Sequence, residues 1–237
     1  MPSAWTLLSW GPEGWLDEIA HGAFITVSLA VATLPLGLLV GFFVALAKQS
    51  AEPSLRLAGN IYTTIFRGLP ELLTLFLVYY GVQIGLQSLV RLAWPDATIE
   101  VNSFVSGMVA LGVVFSSYAS EVFLSAFKAI PRGQYEGGYS IGLTGMQTMR
   151  LVVLPQLVRI ALPGLANLWL ILLKDTALVS AIGLSDILRQ SGVAARVARE
   201  PFLFYSLASL FYLALAIVSS FGIRVIERSV GQEKAHG

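Results

Sequence analysis

Long apolar runs alternate with short charged segments along the whole chain. The first run is uncharged from Ile19 to Ala47, and the last is uncharged from Pro201 to Ile223. A helix needs about 20 mostly apolar residues to cross a bilayer, and these runs are continuously apolar rather than alternating, as barrel strands would be. The pattern therefore predicts an all-α integral membrane protein, one domain over 1–237, with five transmembrane helices at about 19–47, 57–90, 101–125, 160–183 and 201–223.

Composition supports a lipid-facing protein and excludes several other classes. Only 12% of residues are charged and 56% are hydrophobic, whereas soluble domains carry about 25% charged residues. The net charge of +1 gives no basic field for nucleic acid, so no nucleic-acid partner is expected. The chain has no cysteine, and its two histidines, His21 and His236, lie far apart. We therefore expect neither a disulfide nor a metal site.

Basic residues near the ends of the predicted spans set the orientation, because such residues stay preferentially in the cytoplasm. Placing the amino terminus outside leaves nine basic residues in the inside segments and four in the outside segments. The inside set is Lys48, Arg56, Lys128, Arg132, Arg150, Arg159, Arg224, Arg228 and Lys234, and the outside set is Arg91, Arg189, Arg196 and Arg199. The expected carboxyl terminus is therefore cytoplasmic.

The longest inside segment, about 126–159, has the pattern of two short helices. Residues 130–133 have a turn sequence, helical spacing follows, and a break comes at Gly142. Thr144 and Gln147 have the spacing of a capping box that opens a second helix. Such a helical pair suits docking on another protein, and an amphipathic connector on the membrane surface fits the same residues.

A motif within this segment resembles one in a known family of transporters. Glu136, Gly137 and Gly138 are followed after three residues by Gly142, and after nine more by residues 152–155, Val-Val-Leu-Pro. This resembles the EAA motif of ABC importer permeases, Glu-Ala-Ala, three residues, Gly, nine residues, Ile-x-Leu-Pro. Both alanines are glycine here, and the isoleucine is valine. A glycine in a helix costs about 1 kcal/mol relative to alanine, so the first helix is expected to be less rigid.

The wider sequence resembles the permeases of polar amino acid importers, in particular those for histidine, lysine, arginine and ornithine and for opines. The similarity extends from about residue 22 to 228, and the matching segments are 67–71, 118–121, 130–134, 154–156 and 174–180. The resemblance implies a permease subunit in the bacterial inner membrane that imports polar amino acids, basic ones in particular, or related opines. No phosphate-binding loop of the form G-x-x-x-x-G-K-[ST] occurs in the chain, so no ATPase site and no cofactor are expected in it.

The resemblance also implies partners and a coupling site. They are two ATP-binding cassette subunits that bind ATP, a second permease that is a homologue or an identical copy, a periplasmic binding protein, the amino acid and the bilayer. The amino terminus would then be periplasmic, and the loop at 126–159 would dock on the ATPase to drive alternating access. The residues that match the coupling motif are Glu136, Gly137, Gly138, Gly142, Leu154 and Pro155.

Five ionisable residues fall within or at the ends of the predicted spans, namely Arg67, Glu71, Glu121, Lys174 and Asp175. Such groups are costly when they face lipid, so they are expected to pair or to line a water-filled path. Arg67 and Glu71 are four residues apart and would share a helix face, so they can pair with each other. Glu121 has no charged neighbour along its own span.

A cationic amino acid needs acceptors for two cationic groups and a donor for its carboxylate. Glu71, Glu121 and Asp175 can supply the acceptors, and Arg67 or Lys174 the donor. We therefore predict a substrate pathway at these residues and, as a hypothesis, selection for basic substrates by Glu121 and Glu71. Purely structural pairing remains the alternative for each of them.

Two other functions fit a membrane protein of this size. An ion-gradient-driven secondary amino acid carrier would usually show an internal repeat, and five spans do not divide into two equal halves. An intramembrane enzyme would need a cluster of nucleophile, metal or acid–base groups, which the sequence lacks beyond the five charges. Which amino acid is carried, and whether the two permeases are identical, both stay open at this point.

Overall fold

The computed structural model describes residues 4–94, 97–98 and 100–231, and this part of the chain is helical without any strand. The all-α prediction is confirmed. Lys234 and His236 lie outside the described residues. The α-helices are α1 (Ala4–Leu7), α2 (Leu16–Gln49), α3 (Pro53–Gly68), α4 (Glu71–Ala93), α5 (Ser103–Ala129), α6 (Arg132–Ser140), α7 (Gly145–Thr148), α8 (Leu154–Asp175), α9 (Ile187–Ala198) and α10 (Pro201–Gly231).

Five helical stretches in the described part of the chain are long and apolar enough to cross a membrane, as predicted. They are Leu16–Gln49, Glu71–Ala93, Ser103–Ala129, Gly145–Ile182 and Pro201–Ser229. The fourth stretch is built from α7, a π-helical turn at Met149–Val153, α8 and a 3₁₀ segment at Thr176–Ile182. It begins well before the predicted boundary at residue 160.

The predicted single span over 57–90 is wrong. The helix ends at Gly68 and a new one begins at Glu71, because Leu69 and Pro70 are extended, with ψ angles of 143° and 134°. Proline disfavours the helical conformation in the residue before it, so the chain breaks there. Only α4 is long and apolar enough to span the membrane, and α3 is a separate helix of 16 residues.

The segment predicted as a coupling loop over 126–159 is shorter than expected. The end of α5 reaches Ala129, and the second of the two predicted helices is the start of the fourth membrane stretch rather than a separate element. The capping box is confirmed, since the Thr144 hydroxyl accepts from the Gln147 amide and the Gln147 side chain accepts from the Thr144 amide. The part of the predicted loop that lies outside these long helical stretches is therefore α6 and the turn after it. We call the side of the bundle that carries α6 the loop end.

The centre of the bundle is the pair formed by α2 and α5. A Cβ at Gly41 would lie 2.9 Å from the backbone oxygen of Ser116, and a Cβ at Gly37 would collide with the Phe115 ring. Small residues at these positions let the two backbones approach closely, which is how helices associate where no hydrophobic effect operates. The close contact fixes α5 in the middle of the protein, with α3, α4 and α8 around it.

Helix α9 was not predicted from the sequence, and it packs against α2 and α10 at the end opposite the loop end. Its N-cap is Asp186, a fully buried residue whose Oδ1 accepts from the Arg189 amide at 2.9 Å. The Tyr212 hydroxyl donates to Asp186 Oδ2 at 3.4 Å. Burial raises the pKa of the Asp186 carboxyl to about 6, and the backbone hydrogen bonds at the cap oppose that shift.

We expect Asp186→Asn to stabilise the protein at neutral pH. Since the folded-state pKa is raised from 3.8 to about 6, stability from this group is full below pH 4 and is lost as pH rises through 6. The asparagine keeps a cap acceptor and does not ionise. At pH 7.5 the gain should be at most about 3 kcal/mol, given 1.36 kcal/mol per pKa unit.

Thermal unfolding of the purified complex at pH 4.5 and 7.5 measures this effect. Glu200→Gln, which neutralises an exposed carboxylate at the start of α10, is the control and should shift neither melt. An Asp186→Asn melt equal to wild type at pH 7.5 would show that the buried carboxyl imposes no cost.

Candidate functional site

Three charged side chains meet where α2, α3 and α5 come together. Lys48 Nζ lies 2.5 Å from Glu121 Oε1, and Arg67 Nη1 lies 3.2 Å from the same oxygen. Lys48 comes from the end of α2, Arg67 from the end of α3 and Glu121 from α5. We call these three residues the charge cluster.

Residues of α3 hold the Lys48 side chain in position. The Lys48 stem passes over Gly59, where an added Cβ would lie 2.7 Å from Lys48 Cγ. Lys48 Nζ also donates to the Thr63 hydroxyl at 3.1 Å. The residue before Thr63 is Tyr62, whose hydroxyl is 2.6 Å from the Ser116 hydroxyl on α5. The polar face of α3 thus points into the protein, and its apolar residues Leu57, Ile61 and Ile65 are exposed.

The exposed end of the charge cluster borders a cleft between α5 and α8. The Arg67 guanidinium lies over the Tyr118 ring, 5.4 Å from its centre. Tyr118 and Asp175 both line this narrow cleft together with Leu111, Val114, Leu168 and Leu172, and its volume of about 10 Å³ leaves room for about one water molecule. The Asp175 carboxylate therefore lies in the wall of an apolar cleft, and the Arg67 guanidinium contacts an aromatic ring of the same wall.

The remaining predicted charges are grouped around Asp175. Asp175, half-buried at the end of α8, interacts electrostatically with both Glu71 and Lys174. Glu71 is the first residue of α4, where the helix dipole favours a negative charge. Lys174 is exposed. Two carboxylates and one ammonium are therefore grouped at this end of α8.

All five predicted pathway residues lie on the cluster, the cleft or its immediate surroundings, but not in the predicted pairs. Arg67 contacts Glu121 rather than Glu71, because the break at Leu69 and Pro70 places the latter two on different helices. Glu121 pairs with residues of α2 and α3, which lie far from it in the sequence. Lys48 and Tyr118 were not predicted to belong to the site. Lys48 carried a signal, since it ends an uncharged run and a lysine stem can reach several ångströms back into the protein.

The coupling motif contains the tight turn that ends α6, at the loop end of the bundle. Gly142 has a φ of +84°, the Leu143 amide donates to the Gly138 carbonyl at 3.1 Å, and the Gly142 amide donates to the Tyr139 carbonyl at 3.0 Å. This is the Schellman pattern, in which glycine takes the left-handed position without strain. The motif glycine is therefore required by the backbone of the turn.

The other motif residues divide into exposed and packed positions. Glu136, Gly137 and Pro155 are exposed and Leu154 is half-buried, whereas Gly138 is buried. An added Cβ at Gly138 would meet Thr148 Cγ2 at 2.6 Å, while one at Gly137 would meet nothing within 4 Å. The second alanine of the family motif is thus replaced here by a glycine against which α7 packs.

An apolar surface is exposed around this turn. Ile141 and Met146 keep 76% and 78% of their surface accessible, and Tyr139 is also exposed. The side chains of Gln134 and Gln156 are hydrogen-bonded at 3.0 Å, which links α6 to the start of α8. We call the exposed side chains of Glu136, Tyr139, Ile141 and Met146 the coupling surface. Exposed apolar groups gathered at one turn are typical of a protein contact.

Within the residues that the structure describes, no three His, Asp or Glu side chains are grouped so that they could hold a metal ion. Asp175 lines the cleft and interacts electrostatically with Glu71, and the Arg67 guanidinium lies over the Tyr118 ring on the cleft wall. The Schellman turn and the coupling surface form a separate, exposed region at the loop end.

Comparison with known proteins extends over nearly the whole chain. The model of the family described as binding-protein-dependent transport system inner membrane component matches residues 14–232. The nopaline transport system permease of Agrobacterium fabrum is 42% identical, covering 94% of this chain and 95% of the relative. The histidine/lysine/arginine/ornithine transport system permease of Salmonella typhimurium is 37% identical, covering 94% and 98%.

A solved structure is similar over the same extent. It is a crystal structure of an amino acid ABC transporter with histidines, which superimposes with a TM-score of 0.77 at 29% identity and covers 91% of this chain and 95% of that one. The family match therefore covers the residues of the cleft and of the coupling surface. The chain belongs to the family of inner membrane components of binding-protein-dependent transport systems.

Proposed function

We propose that this chain imports polar amino acids, basic ones in particular, or related opines, as the permease subunit of an ATP-driven importer. The observation that carries the substrate class is the pair of carboxylates at the cleft, Asp175 with Glu71 close enough to interact with it. Relatives that transport nopaline and histidine, lysine, arginine and ornithine support the same class. All of these substrates carry both a carboxylate and a cationic group.

In this proposal the cleft widens during alternating access to admit the amino acid, and it then offers complementary groups for such a molecule. Asp175 and Glu71 accept hydrogen bonds from the cationic groups, and Arg67 at the Tyr118 ring donates to the α-carboxylate. The apolar wall formed by Leu111 and Leu168 excludes water and strengthens these charge contacts. Glu121, which already contacts two cations, is not assigned a direct contact with substrate.

The energy for transport comes from partner subunits in this proposal. The chain has no phosphate-binding loop and takes no cofactor, so two ATP-binding cassette subunits bind the ATP. A second permease, a homologue or an identical copy, completes the membrane pathway, and a periplasmic binding protein delivers the amino acid. The loop end is cytoplasmic, in line with the excess of basic residues on that side.

The coupling surface is the proposed contact with the ATPase. The motif residues Glu136 and Gly142 lie on α6 and its ending turn, beside exposed Ile141 and Met146. Because α7 continues into α8, movement of the coupling surface is transmitted directly to a membrane helix that ends at Asp175. Closure of the ATPase pair would thereby alternate access to the cleft.

Reconstitution of the complex in vesicles tests the proposal. Uptake of radiolabelled arginine should require internal ATP, external binding protein and this chain together, and excess ornithine should compete with it. Uptake by vesicles that contain this chain alone and an ion gradient would instead support the secondary carrier. Failure of every basic amino acid and opine to compete, with another solute transported, would overturn the substrate class.

A further inference from the structure

We propose that Lys48 and Glu121 are positioning residues, which hold Arg67 at the cleft with a net positive charge available for the carboxylate of the substrate. This inference rests on the proposed function, since it concerns how the same cleft recognises its amino acid. It replaces the direct role in substrate selection that the sequence suggested for Glu121. It also assigns a role to Lys48, which lies outside the coupling motif and away from the cleft lining.

Exposure of the three side chains increases from the interior toward the cleft. The side chain of Lys48 is 6% exposed, that of Glu121 31% and that of Arg67 44%. Arg67 is therefore the member of the cluster whose side chain is most accessible to an arriving molecule. Lys48 is too deeply enclosed to touch substrate itself.

The charges within the cluster do not cancel. Lys48 and Arg67 both approach Glu121 Oε1, so two cations share one carboxylate and one positive charge remains. The guanidinium of Arg67 carries five N–H donors, of which Glu121 engages one side. With Lys48 closest to the carboxylate, at 2.5 Å, Arg67 keeps donors and charge for an anion at the Tyr118 side.

The contacts that hold Lys48 in position are more specific than simple charge pairing requires. Gly59 leaves room for the lysine stem, and Thr63 accepts a hydrogen bond from its Nζ. Replacing a buried ion pair by apolar residues is often neutral for stability, so a buried pair is weak evidence of a stabilising role. A lysine held at one point by three separate groups fits a role in fixing the position and charge of its neighbours.

Removing the lysine charge tests this role. In Lys48→Met, Glu121 is left with Arg67 alone, and the pair becomes neutral. We expect arginine to bind the purified permease–ATPase complex about tenfold more weakly, the size expected for losing one charge-assisted contact. Binding of radiolabelled arginine is measured without binding protein, alongside basal ATPase activity and the melting temperature. Arg56→Met, which removes an exposed cation from α3, is the matched control and should bind arginine as wild type does.

Exchanging the charges of Lys48 and Glu121 distinguishes the positioning role from a purely structural role, in which the pair only attaches α2 to α5. In the double variant Lys48→Glu, Glu121→Lys the pair between these helices is restored with reversed signs. If the pair only fastens the helices, arginine affinity returns to the wild-type value. In the positioning role it does not return, because Arg67 then faces a cation at position 121 and is repelled from its place at Tyr118.

The result for Asp175→Asn, measured in parallel, distinguishes the two proposals. Weaker binding in both Lys48→Met and Asp175→Asn, without recovery in the exchange variant, supports both. Weaker binding in Asp175→Asn with normal binding in Lys48→Met, or recovery on exchange, overturns the positioning role and leaves the substrate cleft standing. Normal binding in Asp175→Asn overturns the cleft itself, and the positioning role with it.

Discussion

Gly142→Val is expected to uncouple ATP hydrolysis from transport. Gly142 has a φ of +84° at the Schellman turn that ends α6. An L-residue in the left-handed region costs about 1–2 kcal/mol, and a β-branched one more, so the turn should open and displace Tyr139 and Ile141. These side chains form the coupling surface, and the ATPase would lose its contact with the permease.

In reconstituted vesicles the variant should lose at least about tenfold of its substrate-stimulated ATPase activity and uptake, equivalent to about 1.4 kcal/mol of coupling. Basal ATPase activity should persist, because the ATP sites lie on the partner subunits. Gly133→Val is the matched control, since Gly133 lies in α6 with open space around it and without a positive φ. Coupled transport by Gly142→Val at wild-type rates would refute the role of this turn.

Neutralising both carboxylates at the cleft, in the double variant Glu71→Gln, Asp175→Asn, should have the second large effect. Each substitution keeps the shape of the side chain and removes the negative charge that the proposed site offers to a cationic substrate. Losing two charge-assisted hydrogen bonds of about 1.5–3 kcal/mol each should raise the KM for arginine at least 100-fold. Any residual uptake of an uncharged polar amino acid such as glutamine should change much less.

Uptake kinetics for arginine and glutamine in the same vesicles measure this selectivity. The double variant Glu100→Gln, Glu200→Gln removes two exposed carboxylates and serves as the control for the change in overall charge. An unchanged ratio of arginine to glutamine uptake in the cleft variant would show that selectivity arises elsewhere, for example in the binding protein.

The coupling region shows which local features can be predicted from a sequence. The Thr144–Gln147 capping box and the special position of Gly142 depend on residues a few positions apart, and both occur in the structure. The continuation of α7 into α8 was not predicted, because the polar residues of the turn suggested a separate helix. The π-helical turn at Met149–Val153 joins the two and leaves no sequence signal of its own.

The charge cluster shows where such prediction ends. A partner for Glu121 was sought within its own span, whereas Lys48 lies 73 positions away. The predicted pairing of Arg67 with Glu71 assumed one continuous helix. Pro70 ends that helix in the structure, so Arg67 contacts Glu121 whereas Glu71 interacts with Asp175.

The sequence by itself determined the membrane environment, the five spans and the coupling motif, because apolar run length, local caps and motif spacing act between neighbouring residues. Only the tertiary structure decided which charges meet. Contacts between α2, α3 and α5 depend on how close the helices approach at glycines such as Gly41 and Gly59. Within lipid, where an unpaired charge is so costly, that packing determines which charges neutralise one another and which are left for the substrate.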